Sequence, residues 1–298
     1  MVMKRLCVIT AGCLAVLASA GVGLGQGTVT GSANVEQDAD GVDDFAIDEA
    51  LKTEYRRILW RYGLRFSERS LNRESPALKR KEISEEQLLS FFSSIDLFPV
   101  SFMKKTGLKN VVFCKTLIHN GSPAAGIASG DTIYLKSVNP GTIYHELFHI
   151  VDPVRVNQKW TRLNDRKFTY GGSQFRSANV TPSQRQRLEG EDFSGDFASN
   201  YAMSFEWEDR AETFASMLTG PRQFAKRAGA SPVLAKKGEL MQEISNRISL
   251  DMGSEFWNFV AQSDEVSRRK HITERAQANA KLLQEGKPPV IGGFRREK

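Results

Sequence analysis

Between Pro140 and Pro153 the chain reads Gly-Thr-Ile-Tyr-His-Glu-Leu-Phe-His-Ile-Val-Asp, and this segment restricts the fold more tightly than any other. Proline suits the first turn of a helix and stops one at its end, so the spacing predicts a helix of about three turns. On that helix His145 and His149, four residues apart, stand one above the other on one face. Glu146 lies about 100° further round. Leu147, Phe148, Ile150 and Val151 fill the remaining faces and need burial. Two imidazoles so placed can grip one cation at about 2.0–2.1 Å, and a carboxylate beside them can take a proton from metal-bound water.

Such a pair needs a third ligand. The stretch from Tyr201 to Glu212 opens a second predicted helix, which stops at Gly220-Pro221. Glu208 and Glu212 share one face of it, while Ala211, Phe214, Ala215 and Leu218 can pack the others. Glu208 can complete the metal shell, and Glu212 can accept the free N–H of a ligating histidine and fix its tautomer. Glu206 and Asp209 are the alternatives to Glu208. Acidic residues near a helix N-terminus also complement the helix dipole without any metal. Asp152 either stands behind His149 or simply ends its helix beside Pro153. Tyr170 either anchors its own loop or reaches the metal. His119, in a turn before Gly121, is a surface histidine or a substrate contact, and His271 belongs to a solvated helix face.

With His145-Glu146-x-x-His149 followed by Glu208-x-x-x-Glu212, the chain resembles the gluzincins, zinc metallopeptidases whose third ligand is a glutamate. Locally it is similar to the catalytic domain of anthrax lethal factor and related exported bacterial metallopeptidases, which carry a tyrosine seven residues before the glutamate ligand. Tyr201 fits that spacing. The resemblance implies a zincin-like α+β fold, one Zn²⁺ per chain on His145, His149 and Glu208, and Glu146 as general base. It further implies that Tyr201 donates to the oxyanion, that Glu212 buttresses His145, and that Thr132–Leu135 is the edge strand of the cleft. The substrate class implied is a peptide or protein. Thermolysin-like relatives place an aspartate where this chain has Glu212.

Around this centre the 298 residues, 40% hydrophobic and 26% charged, allow one large domain or a domain with an appendage. Met1 to Ala20 has a basic start, an apolar run and an Ala18-Ser19-Ala20 cleavage site, which predicts a signal peptide and a secreted or periplasmic protein. The apolar run is shorter than the roughly 20 residues of a membrane span, so no stable insertion is expected after cleavage. Thr10-Ala11-Gly12-Cys13 makes a poor lipoprotein box. Residues 21–47 read as a flexible acidic linker and 48–108 as an N-terminal helical region. Residues 109–286 read as the catalytic domain, a small sheet and site helix followed by a mainly helical lower subdomain, and 287–298 as a disordered tail. Strands are expected over 110–117 and 131–136, and helices over 48–62, from Ser84, and over 206–218, 231–250 and 254–283.

Cys114 alone remains in the body of the chain, which excludes an intramolecular disulfide framework and a cysteine-rich zinc knuckle. The net charge of +6 is spread among 35 acidic and 41 basic residues and does not indicate a nucleic-acid partner. Asn120-Gly121-Ser122 and Asn179-Val180-Thr181 match a glycosylation acceptor pattern that only some hosts use. Two other classes of function remain open at this level. One is a zinc-binding scaffold without turnover, and the other is an interaction module built on the basic helices between Arg56 and Lys81.

Overall fold

The structure, a computed structural model, describes residues 41–119, 121–152, 157–172 and 193–290. The predicted signal peptide, Cys13, most of the acidic linker, Asn120, the acceptor pattern at 179–181 and residues 291–298 lie outside the described residues.

Helix α1 (Glu49–Tyr62) begins where Asp48 accepts from the Ala50 and Leu51 amides, and it ends at Gly63, whose φ of 67° is left-handed. It buries Leu51, Tyr55, Ile58, Leu59 and Tyr62. Helix α2 (Glu85–Ile95) starts at Ser84 as expected, with a capping box in which Ser84 and Gln87 satisfy each other's backbone amides. Helix α3 (Val100–Thr106) then leads to the sheet.

The strands are β1 (Arg65–Phe66), β2 (Asn110–Phe113), β3 (Ile118–His119), β4 (Ser122–Pro123), β5 (Gly126–Ser129) and β6 (Thr132–Leu135). In the four-stranded sheet the order is β1-β2-β6-β5, with β1, β2 and β6 parallel and β5 antiparallel to β6. β3 and β4 form a separate hairpin. Side chains alternate across the sheet. Val111, Phe113, Ile133 and Leu135 enter the main core, whereas Val112, Cys114 and Tyr134 join a smaller cluster with Leu117 on the other face. Burial pushes the Cys114 thiol up to about 11, consistent with a packed, unreactive side chain.

Three expectations need correction. The edge strand is β5, while Thr132–Leu135 lies inside the sheet between β2 and β5. The linker does not extend to residue 47, because Val42 and Phe45 are buried and the Phe45 ring meets Phe66 edge-on at 5.2 Å. A single helix over 254–283 is instead two, Ser254–Gln262 and Glu265–Gln284, separated where Asp264 caps the second by accepting from the Ser267 amide. The boundary expected at 108/109 is bridged by the sheet, since Arg65 and Phe66 pair with Asn110 and Val111. The start of the expected tail is held too: the Val290 amide donates to Asn279 at 2.8 Å.

Beyond the sheet come α4 (Pro140–Val151), α5 (Gln158–Thr161), α6 (Glu206–Thr219), α7 (Pro221–Ala230), α8 (Pro232–Ile248), α9 (Ser254–Gln262) and α10 (Glu265–Gln284). The fold is mixed α+β, with small sheets and a mostly helical remainder. Helix α4 packs against β5 and β6 on one side and α6 on the other. Helix α10 returns to α1, where Arg275 meets Glu54 and Asp96, both 1% exposed.

Behind α6 lies another buried pair, Lys237 of α8 and Asp209, 2.9 Å apart and both 0% exposed. Asp209 also accepts from the Trp160 indole and the Tyr170 hydroxyl, each at 2.9 Å. Burial pushes the Asp209 carboxyl above its ordinary value and the Lys237 ammonium below its own. Removing one member strands the other in a dry interior, so Lys237→Met should cost about 3–5 kcal/mol in equilibrium urea unfolding. The double variant Asp209→Asn/Lys237→Met should recover much of that loss. Additive losses would show that the two charges are not coupled.

Candidate metal centre

Asn139 starts the site helix by accepting from the Thr142 amide at 2.9 Å, and Pro140 occupies its first turn. The helix buries Ile143, Tyr144, Leu147 and Phe148 and leaves Ile150 and Val151 half-buried against the core. Its remaining face carries His145 and His149, whose rings meet edge-on with centroids 4.6 Å apart. Phe148 packs on Phe214 of α6 at 4.9 Å between ring centroids, and this contact brings the second ligand helix alongside.

Three atoms converge as a result. His145 Nε2 and His149 Nε2 are 2.9 Å apart, and Glu208 Oε2 lies 3.1 Å from each. Ligand atoms around a tetrahedral cation at about 2.0–2.1 Å stand roughly 3.3–3.4 Å apart, so a small outward relaxation would admit one. His145 Nδ1 is 2.7 Å from Glu212 Oε1. With the Nδ1 proton given to Glu212, the neutral ring presents its Nε2 lone pair to the same point as the Glu208 carboxylate. A cluster of two imidazole nitrogens and a carboxylate oxygen is thus capable of coordinating a metal ion.

The electrostatics agree with the geometry. Burial disfavours the charged form of His145, but the hydrogen bonds to Glu208 and Glu212 outweigh it and raise the imidazole to about 10. Glu208 and Glu212 are held below the ordinary carboxylate range: burial works against this, and the histidine contacts prevail.

Glu146 is 6% exposed and lines the same cleft of about 640 Å³. Burial raises its carboxyl, against the pull of the two histidines and a backbone hydrogen bond from Ala128. Gly126 of the edge strand passes so close that a Cβ there would sit 2.5 Å from Glu146 Cγ and 2.8 Å from Thr142 Cγ2. Tyr201 lies in a short 3₁₀ turn, Tyr201–Met203, ahead of α6. Its ring centroid is 5.9 Å from that of His145, and it lines the cleft with His119 and Trp207.

The alternatives are placed elsewhere. The Asp152 carboxylate accepts from Arg210 Nε at 2.7 Å. Glu206 accepts from Arg210 and the Asn157 amide, and Asp209 belongs to the Lys237 pair. Tyr170 anchors its loop through Asp209 and Asn164. His271 sits in α10, half-buried and 3.5 Å from Arg275. Sequence reasoning missed Ser199, whose hydroxyl donates to Glu212 Oε2 at 2.5 Å, as well as Gly126, the Ala128 amide and Arg210. A lone serine thirteen residues before its partner carries no spacing signal.

The chain matches no described protein family and no curated protein sequence. Among solved structures it shows a weak likeness to a crystal structure from Bacteroides caccae of a "putative zinc-binding metallo-peptidase". The identity is 18% and the TM-score 0.36, over 81% of this chain and 97% of that one.

Proposed function

We propose that this chain is an exported zinc-dependent peptidase in which His145, His149 and Glu208 hold the metal and Glu146 acts as general base. The observation that carries the reading is the convergence of three metal-ligating atoms within 3.1 Å of one another, in a cleft that also contains Glu146 and Tyr201. Bound by such a set, zinc supplies a water with a pKa near 7 and polarises a carbonyl oxygen. Glu146 accepts the proton of the attacking water and returns it to the leaving amine. Its buried position and raised pKa suit a group that must hold that proton briefly and release it. Tyr201 donates to the scissile carbonyl oxygen as negative charge develops there. Glu212, itself held by Ser199, fixes the orientation and tautomer of His145. An intact base and a phenol at the cleft favour turnover over a scaffold role, since neither group is needed merely to hold metal. By the same reading, removal of residues 1–20 releases the protein outside the cytoplasm.

One zinc per chain is expected in the purified protein, and His145→Ala, His149→Ala and Glu208→Ala should each lose most of it by elemental analysis. With the His145 imidazole raised to about 10 by its hydrogen bonds to Glu208 and Glu212, metal binding must displace a proton. Apparent zinc affinity should therefore rise about tenfold per pH unit between about pH 6 and pH 8 in competition titrations. A flat profile would show that no proton leaves the cluster.

Glu146→Gln should keep its zinc and lose peptide hydrolysis, read by proteome-wide cleavage profiling against the wild type, because an amide cannot accept the water's proton. Equal cleavage by the two proteins would end the base assignment.

Tyr201→Phe should lower kcat by about 10²–10³ with KM and zinc content nearly unchanged, since the hydrogen bond gains its full strength only in the transition state. A silent substitution would make Tyr201 a packing residue.

A further inference from the structure

Arg210 is a fully buried cation beside the cluster, 0% exposed, and the chemistry above does not use it. Its Nε donates to Asp152 Oδ2 at 2.7 Å, and its Nη1 donates to Glu206 Oε1. Both carboxylates stand at critical places in the chain. Asp152 caps the helix that carries the histidines, three residues after His149, and its own amide closes on the Phe148 carbonyl. Glu206 is the first residue of the helix that carries Glu208 two positions later. It also accepts from the Asn157 amide and the Thr161 hydroxyl, in the segment that follows the histidine helix. Arg210 belongs to the helix that carries Glu208, so its guanidinium ties that helix to the end of the histidine helix through Asp152, while Glu206, one turn back on the same helix, holds it in place.

The choice of side chain supports a geometric role. A guanidinium presents its donors in a rigid planar fork, so two carboxylates bound at Nε and Nη1 are fixed in direction as well as distance. Buried charges of this kind are costly to desolvate, and an apolar trio could fill the same space. A role in alignment accounts for their presence. His149 Nε2 and Glu208 Oε2 stand 3.1 Å apart, within hydrogen-bond reach, so the two helices already hold these atoms together.

We propose that Arg210 is a positioning residue which, through Asp152 and Glu206, sets the separation of His149 and Glu208 before the metal arrives. This rests on the reading of the His145–His149–Glu208 cluster as a metal site. Partners behind a ligand shell commonly change metal affinity by about 10–100-fold.

The test uses the full chain lacking its signal peptide, with Zn²⁺ affinity from competition titration and the visible spectrum of the Co²⁺-substituted protein as readouts. Arg210→Met should weaken Zn²⁺ binding about 10–100-fold and change the Co²⁺ bands, which report ligand geometry. Asp152→Ala should do the same, whereas Asp152→Asn, whose side-chain oxygen can still accept from Nε, should retain most of the affinity. The Arg210→Met/Asp152→Ala double variant should bind about as weakly as the worse single variant. Unchanged affinity and spectrum alongside a lowered Tm would overturn the proposal and leave Arg210 a purely structural ion pair. If Arg210→Met does not fold, the Asp152 variants decide the matter alone, and wild-type affinity in Asp152→Ala overturns it. A wild-type chain that takes up neither Zn²⁺ nor Co²⁺ would instead defeat the metal reading itself.

Discussion

Two imidazole nitrogens and a carboxylate oxygen lie within 3.1 Å of one another, and the rest of the molecule determines where they meet. The restraint here is the packing of α4 against α6, two helices separated in sequence by more than fifty residues. The Phe148 and Phe214 rings meet at a tilt of 36° with centroids 4.9 Å apart, and Leu147, Ala211 and Leu218 are fully buried around them. Burial of side chains this large contributes on the order of 1.5–3 kcal/mol each. The apolar faces of the two helices thus set the distance at which their polar faces meet.

A second layer of polar contacts lies behind the cluster. Glu212 and Ser199 orient His145 from behind, and Asp209 secures Trp160 and Tyr170 to the underside of α6. The acidic first turn of α6 also stabilises the positive end of its dipole. Glu206, Glu208 and Asp209 share that general benefit, yet each has a separate partner: Arg210, the histidines and Lys237. One short run of charge therefore serves three different structural purposes.

The sequence revealed the parts of this arrangement that depend on local chemistry. The helix start at Ser84, the proline at the start of the site helix and the four-residue spacings of His145/His149 and Glu208/Glu212 are properties of a few adjacent turns. What could not be read was determined by partners distant in the chain. Gly126–Ser129 lacks the β-branched alternation of a strand and becomes one only by pairing with β6, so the edge was placed one strand too far inward. Val42 and Phe45 sit in an acidic, glycine-rich context, but α1 and β1 leave a dry surface that accepts them. The burial of Arg210, Lys237 and Arg275 was equally hidden, since composition treats arginine and lysine as surface residues until a buried carboxylate is found opposite them.

Gly126 carries a consequence for how this cleft can change over evolutionary time. One methyl group at that position would collide with Glu146 and Thr142 together, so even the smallest mutational step is blocked by the site helix. Nor can the strand be re-registered to compensate: a slip of one residue along β6 turns every side chain to the opposite face and would bring a neighbour's bulk against the helix. The spacing between the edge strand and Glu146 is therefore set by bare backbone, and drift elsewhere on the rim can reshape the cleft without altering that spacing.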